Sequence, residues 1–196
     1  MPLALPVAEP QIWLFWALSL IFFAFVLRAI SRRERESGGR SDPRSRLGII
    51  LQSIGIGLAG IGPFKPMLPW LSLSGLAGDL GVLLLMGGAI AVFASSSTAL
   101  GKNWSLEART RSDHQLVRTG PYAVVRHPIY LGMLLFLLGL AVAMGHWLQL
   151  LVAVPLFLAG TRVRTTIEDA LLKRQFGNEF EDYARTTPAL IPRLRA

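Results

Sequence analysis

Cysteine is absent from the chain, which excludes a disulfide framework, a thiolate metal site and a cysteine nucleophile. Charge is also scarce. Only 16% of the residues are Asp, Glu, Lys or Arg, where soluble domains carry about a quarter. Acidic residues are the rarer sign, 12 against 20 basic ones. Histidine occurs three times and the copies are scattered, so the sequence argues against a metal cluster.

What the chain has in excess is apolar surface, at 52% of its 196 residues. It is gathered into runs at residues 12–30, 47–61, 76–100, 129–144 and 148–159. Runs of this length are judged against a hydrocarbon core roughly 30 Å thick. The first run has no basic residue ahead of it and no small-residue cleavage site behind it, so it reads as a retained span. Glycines at 48, 55, 57 and 60 mark the second run as one that packs closely inside a bundle. Three prolines in residues 62–70 predict a non-helical turn at the membrane surface. Asp79, near the start of the third run, reads as an interfacial or helix-start charge. The fourth and fifth runs are short and separated only by Gly145, His146 and Trp147. They predict a tight helical hairpin whose second arm extends beyond the membrane, with Pro155 as a kink and His146 as an interfacial residue. Beyond it, apolar positions at Val163, Ile167, Leu171, Leu172 and Phe176 keep a helical period to Gly177, and a short helix is expected over 179–185.

The basic residues sort by segment. Seven lie in residues 28–46, five in 101–128 and seven in 160–196, leaving only Lys65 elsewhere. Five spans with an external N-terminus place all three segments on the cytoplasmic side, as the positive-inside rule requires. Membrane topology therefore accounts for the net charge of +8 without nucleic acid. The expected fold is an all-α integral membrane protein of five segments capped by C-terminal cytoplasmic helices. Residues 1–100 form a three-span membrane region and residues 101–196 the functional core. The first basic segment, SRRERESGGRSDPRSR, reads as a dispensable loop.

The unusual stretch is 116–132, LVRTGPYAVVRHPIYLG, which sets polar and aromatic residues at the mouth of the fourth run. Pro128 falls at the first turn of that helix, where its missing N–H costs nothing. The helix start then offers free backbone donors and a positive dipole end, suited to an anionic group. His127, Tyr122 and Tyr130 can add hydrogen bonds and aromatic faces. An ordinary belt of interfacial aromatics would look the same, and spacing leaves both readings open. Arg164 and Glu168 lie four apart, on one helical face. They read either as a surface ion pair or as partners for an anionic and a cationic ligand.

These segments, with RTTIEDALLKRQFGNEFEDYARTTPALIP, resemble the isoprenylcysteine carboxyl methyltransferase family and, more broadly, its phospholipid methyltransferase relatives. The shared elements are the LV…G-x-Y-x-x-x-RHP-x-Y-x-G segment, the Arg-x-x-x-Glu pair and the FG-x-E-F-x-x-Y…P tail, covering residues 101–192. The resemblance implies a membrane methyltransferase that uses S-adenosylmethionine and no metal. The cofactor would be held by His114, Gln115, Leu116 and Val117, by Tyr122, by His127, Pro128, Ile129 and Tyr130, and by Glu168, with Glu107 near a polar cofactor contact. Arg164 falls on the catalytic arginine that would engage a substrate carboxylate, and Asn103 falls in a family-like position on the substrate side. The family often has two glutamates where this chain has Glu168 and Asp169. The implied acceptor is a lipophilic carboxylate such as a prenylcysteine, entering from the bilayer lipids. Alternatives are a phospholipid N-methyltransferase, a sterol-type reductase using a nicotinamide cofactor, and a non-enzymatic scaffold.

Overall fold

The computed structural model describes residues 10–32, 40–63, 72–101, 104, 109–110 and 115–192. Six α-helices account for most of them: α1 (Pro10–Ser31), α2 (Ser45–Gly60), α3 (Leu73–Leu100), α4 (Pro128–Met144), α5 (Leu150–Phe176) and α6 (Asn178–Thr186). The helix ends follow local chemistry. Ser72 caps α3 by accepting from the Gly75 N–H at 3.1 Å. Pro128 opens α4 at its first turn. Gly145 closes α4 in the left-handed conformation, φ +71°, which a side chain would strain. The expected turn over residues 62–70 lies largely outside the described residues.

Helices α1, α3 and α5 are each long and apolar enough to cross a membrane, while α2 and α4 are shorter at 16 and 17 residues. Their exposed surface is apolar, with Leu20, Leu27, Leu84 and Leu151 all turned outward. A surface of that kind belongs against lipid chains. The fifth run and the amphipathic segment after it are one continuous helix, α5, which ends at Gly177 as its period predicts.

The packing differs from the expected hairpin. Helices α4 and α5 follow each other through a short turn, but α5 packs chiefly on α2, and α4 chiefly on α3. Small residues explain the choice of neighbours. Gly48 and Gly160 bring the α2 and α5 backbones together, and Gly132 and Gly139 seat α4 against Ala89, Phe93 and Met86 of α3. Buried across the α2–α5 seam, Gln52 Nε2 donates to Thr161 Oγ1 at 2.9 Å, and that hydroxyl donates to the Phe157 carbonyl at 2.9 Å. The other seam is aromatic: Phe22 of α1 stacks near Phe93 and Phe136, with centroids 5.1 and 4.8 Å away.

His146 also departs from expectation. It is fully buried, not interfacial, and its ring nitrogens lie 2.9 Å from the Ala59 carbonyl and 3.1 Å from the Pro63 carbonyl. It ties the α4–α5 turn to the end of α2.

At the opposite end of the bundle, a two-residue antiparallel ladder pairs β1 (Arg40–Ser41) with β2 (Arg109–Thr110). It is the one exception to an all-helical fold among the described residues. The ladder joins the first basic segment to the second, and β2 in turn touches α5. The supposedly dispensable loop is therefore tied through Arg40 and Ser41 to the second basic segment, and the described parts of the three basic segments lie at one end of the molecule.

Candidate functional site

The site forms where the start of α4 meets the middle of α5. Residues 115–119 approach without regular secondary structure, Thr119 being extended, and Gly120–Ala123 make one 3-10 turn that begins with a Gly-Pro pair. The chain then reaches His127, which precedes α4 and is 5% exposed. Its Nε2 donates to Asp169 Oδ1 at 2.9 Å, and its Nδ1 lies 3.3 Å from Glu168 Oε2. A neutral imidazole donates from only one nitrogen, so two carboxylates favour the doubly protonated ring. Burial alone would lower the pKa of His127, but the bonds to Asp169 and Glu168 outweigh it and raise the value to about 9.

Glu168 is the hub. Besides His127, it accepts from the Tyr130 hydroxyl and lies 3.3 Å from an Arg164 guanidinium nitrogen. Arg164 in turn sits with its guanidinium carbon 5.2 Å from the centroid of the Tyr130 ring, in cation–π contact. At 7% exposed, Arg164 is buried, and the simple surface ion pair is excluded. Tyr122 is buried close by, and its phenol pKa is raised well above the usual value, by burial first and by the charge of Glu168 next.

Two residues assigned no role from the sequence complete the arrangement. Asp169 takes the second histidine nitrogen and also accepts from Arg126 at 2.8 Å. Arg126 then reaches the C-terminal segment, donating to the carbonyls of Ala184 and Thr187. The backbone N–H groups of Arg126 and His127 donate to the Pro188 and Ala189 carbonyls, both at 2.9 Å. Tyr183 of α6 adds a bond from its hydroxyl to the Tyr122 carbonyl at 2.6 Å. The C-terminal segment is thus strapped over His127. The available signal was the placement of Arg126 directly before His127 and of Asp169 directly after Glu168, an adjacency that says nothing of direction.

The structure brings together five of the expected residues: Tyr122, His127, Tyr130, Arg164 and Glu168. Pro128 is buried at the first turn of α4, whereas Ile129 packs its side chain against the core of α1, α3 and α4. Gln115 is exposed, and Leu116 and Val117 are half-buried, on the approach. Asn103, Glu107 and His114 lie outside the described residues. Among the described residues, no group of three or more His, Asp or Glu is arranged to hold a metal ion.

Comparison with known proteins now gives this geometry a family. Residues 77–179 match the Phospholipid methyltransferase family, more than half of the chain. The chain belongs to that family. Among its relatives, the protein-S-isoprenylcysteine O-methyltransferase of Schizosaccharomyces pombe is 32% identical over 100 residues, covering 50% of this chain and 42% of that protein. The nickel-cobalt-cadmium resistance protein NccN of Alcaligenes xylosoxydans xylosoxydans is 40% identical over 97 residues, covering 48% and 45%. The cobalt-zinc-cadmium resistance protein CzcN of Cupriavidus metallidurans is 40% identical over 116 residues, covering 57% and 50%. The chain spans half or less of the length of each. The resemblance read from the RHP-x-Y-x-G and Arg-x-x-x-Glu elements therefore holds at family level, and the match extends back into α3.

Proposed function

We propose that the chain is an integral membrane methyltransferase that transfers the methyl group of S-adenosylmethionine to the carboxylate of a lipophilic acceptor. The observation that carries this reading is the meeting of the Arg164–Glu168 face of α5 with His127 and Tyr130 at the start of α4. It gathers a half-buried carboxylate, a buried guanidinium and aromatic faces into one place at the end of an apolar bundle.

The residues present fit the donor. S-adenosylmethionine carries its methyl group on a sulfonium cation and adds an amino group and a carboxylate. Glu168 offers negative charge, Tyr130 and Tyr122 offer aromatic faces to a cation, and the first turn of α4 offers backbone donors to a carboxylate. His127 and Tyr130 hold Glu168 in place by hydrogen bonds, so its charge is oriented in advance. Gln115, Leu116 and Val117 line the approach on this reading, and the family resemblance adds His114 and Glu107 to the cofactor's contacts.

Arg164 fits the acceptor. A guanidinium presents parallel donors that match a carboxylate bidentately. A carboxylate is already ionised at neutral pH, so Arg164 needs to orient it for attack on the methyl carbon and no general base is required. Burial of Arg164 and Tyr130 keeps bulk water off the guanidinium and the ring beneath it. Asn103 is assigned to the same side. An amine nucleophile would need deprotonation, which a guanidinium beside it does not assist, and this favours the acid over a phospholipid amine. The apolar end of the acceptor reaches the site from lipid. The clustering of the basic segments at one end supports a cytoplasmic site and an external N-terminus.

The test is methyl transfer from labelled S-adenosylmethionine by the purified protein, offered a prenylcysteine analogue or phosphatidylethanolamine. The reading expects base-labile methyl ester on the acid and none after Arg164→Ala. Transfer to the amine alone would replace it with phospholipid N-methylation.

A further inference from the structure

The family match begins at residue 77, yet the helix against which the Arg164 stem lies is α2, well ahead of it. A Cβ added at Gly48 would fall 2.4 Å from Arg164 Cγ, 3.3 Å from its Cδ and 2.7 Å from the Gly160 carbonyl oxygen. Gly160 is equally tight from the other side, its added Cβ 2.6 Å from the Gly48 carbonyl oxygen. One turn below, Gln52 and Thr161 bond across the same seam, fixing its register. The head of Arg164 is set separately, over the Tyr130 ring and 3.3 Å from Glu168 Oε1. Its stem is therefore held by α2 and its head by α4 and α5.

The other glycines of α2 do not share this position. A Cβ at Gly55 would meet only α5 backbone and Phe157 Cβ, the nearest being the Ala153 carbonyl oxygen at 2.8 Å, and at Gly57 it would meet nothing within 4 Å. Gly48 and Gly55 are thus matched in their crowding against α5, but only Gly48 faces a side chain of the site.

We propose that Gly48 is a positioning residue for Arg164, its missing side chain being the slot that aims the guanidinium, so that α2 forms part of the site. Arginine has many rotamers, and its fork meets a carboxylate bidentately in few of them. A methyl group at position 48 closes the slot and turns the stem, moving the guanidinium off Tyr130. The inference deepens the reading of Arg164 as the arginine that binds the acceptor, and rests on it for its kinetic consequence only.

The experiment compares Gly48→Ala, Gly55→Ala and Gly57→Ala in detergent. Phenylglyoxal modification at Arg164, followed by peptide mass spectrometry, reports the position of the guanidinium without reference to activity. Kinetics with a prenylcysteine analogue report its use. We expect Gly48→Ala alone to speed modification of Arg164 several-fold and to lower kcat/KM by roughly tenfold to a hundredfold, through KM, as misplacement of an orienting group does. Binding of S-adenosylhomocysteine should stay within about twofold, since His127 and Tyr130 still hold Glu168. Equal effects from Gly55→Ala would overturn the proposal, as would unchanged modification of Arg164 in Gly48→Ala. Faster modification in a protein that methylates no acid would uphold the positioning and reject the acceptor reading. Should Gly48→Ala fold poorly, a double-mutant cycle decides. The substitution must lower the melting temperature less in an Arg164→Ala background, where no Cγ stands in its way. An equal loss in both backgrounds assigns the clash to the Gly160 carbonyl and ends the proposal.

Discussion

Asp169→Asn is the perturbation whose consequence can be worked furthest. In the native site His127 is clasped by two carboxylates, and its pKa rises from 6.5 to about 9 against the opposing effect of burial. The sign follows from linkage. A group whose pKa is higher folded than unfolded stabilises the fold fully below its unfolded value, and the contribution fades as pH climbs through the folded value. The window is therefore pH 6.5 to about 9. At ~1.4 kcal/mol per pH unit, the contribution lost across it is at most about 3.5 kcal/mol, or roughly 7–14 °C of melting temperature for a chain of this size. Removing the Asp169 charge lowers the folded-state His127 pKa, so the decline should still begin near pH 6.5 but shrink and end at lower pH. His127→Gln should abolish it. The assay is circular-dichroism melting in one detergent from pH 6 to 9.5, with wild type, Asp169→Asn and His127→Gln side by side. Identical pH profiles for the three proteins would refute the reasoning, because the decline would then belong to other groups.

Other substitutions test neighbouring parts of the account. Glu168→Ala should abolish S-adenosylhomocysteine binding measured by calorimetry, whereas Arg164→Ala should spare it while ending transfer to an acidic acceptor. Thr161→Val removes the acceptor of the buried Gln52 bond and should cost about 1 kcal/mol in thermal or denaturant unfolding, as interhelical bonds in membranes do. Tyr183→Phe loses the 2.6 Å bond to the Tyr122 carbonyl. It should cost about 1 kcal/mol and speed amide exchange of the strapped segment, with little effect elsewhere.

The spans were legible because apolar runs stop at residues with plain reasons to stop them: Pro128 at the start of α4, Gly145 and Gly177 after α4 and α5. The amphipathic period from Val163 to Phe176 likewise announced the far end of α5. Neighbour choice was not legible. The glycines of the second run signalled close packing, but nothing in a single sequence says that Gly48 meets Gly160 and Arg164 rather than another helix or another copy. His146 shows the same limit: a histidine at a turn reads as interfacial until the carbonyls of Ala59 and Pro63 are seen on either side of it. Within the candidate site, the residue types that suit a cation and an anion stood out, so Tyr130, Arg164 and Glu168 were singled out and the structure draws them together. Arg126 and Asp169 act on their neighbours and on the strap, and such roles depend on direction, which adjacency along the chain does not carry.

The central claim is that the start of α4 and the middle of α5 form one pocket for S-adenosylmethionine. Calorimetric titration of the purified protein in detergent with S-adenosylhomocysteine and, separately, with NADPH tests it most directly. The account predicts saturable binding of S-adenosylhomocysteine, lost in both Glu168→Ala and His127→Ala, and no binding of NADPH. Binding of NADPH without S-adenosylhomocysteine, or undiminished S-adenosylhomocysteine binding in both variants, would contradict it.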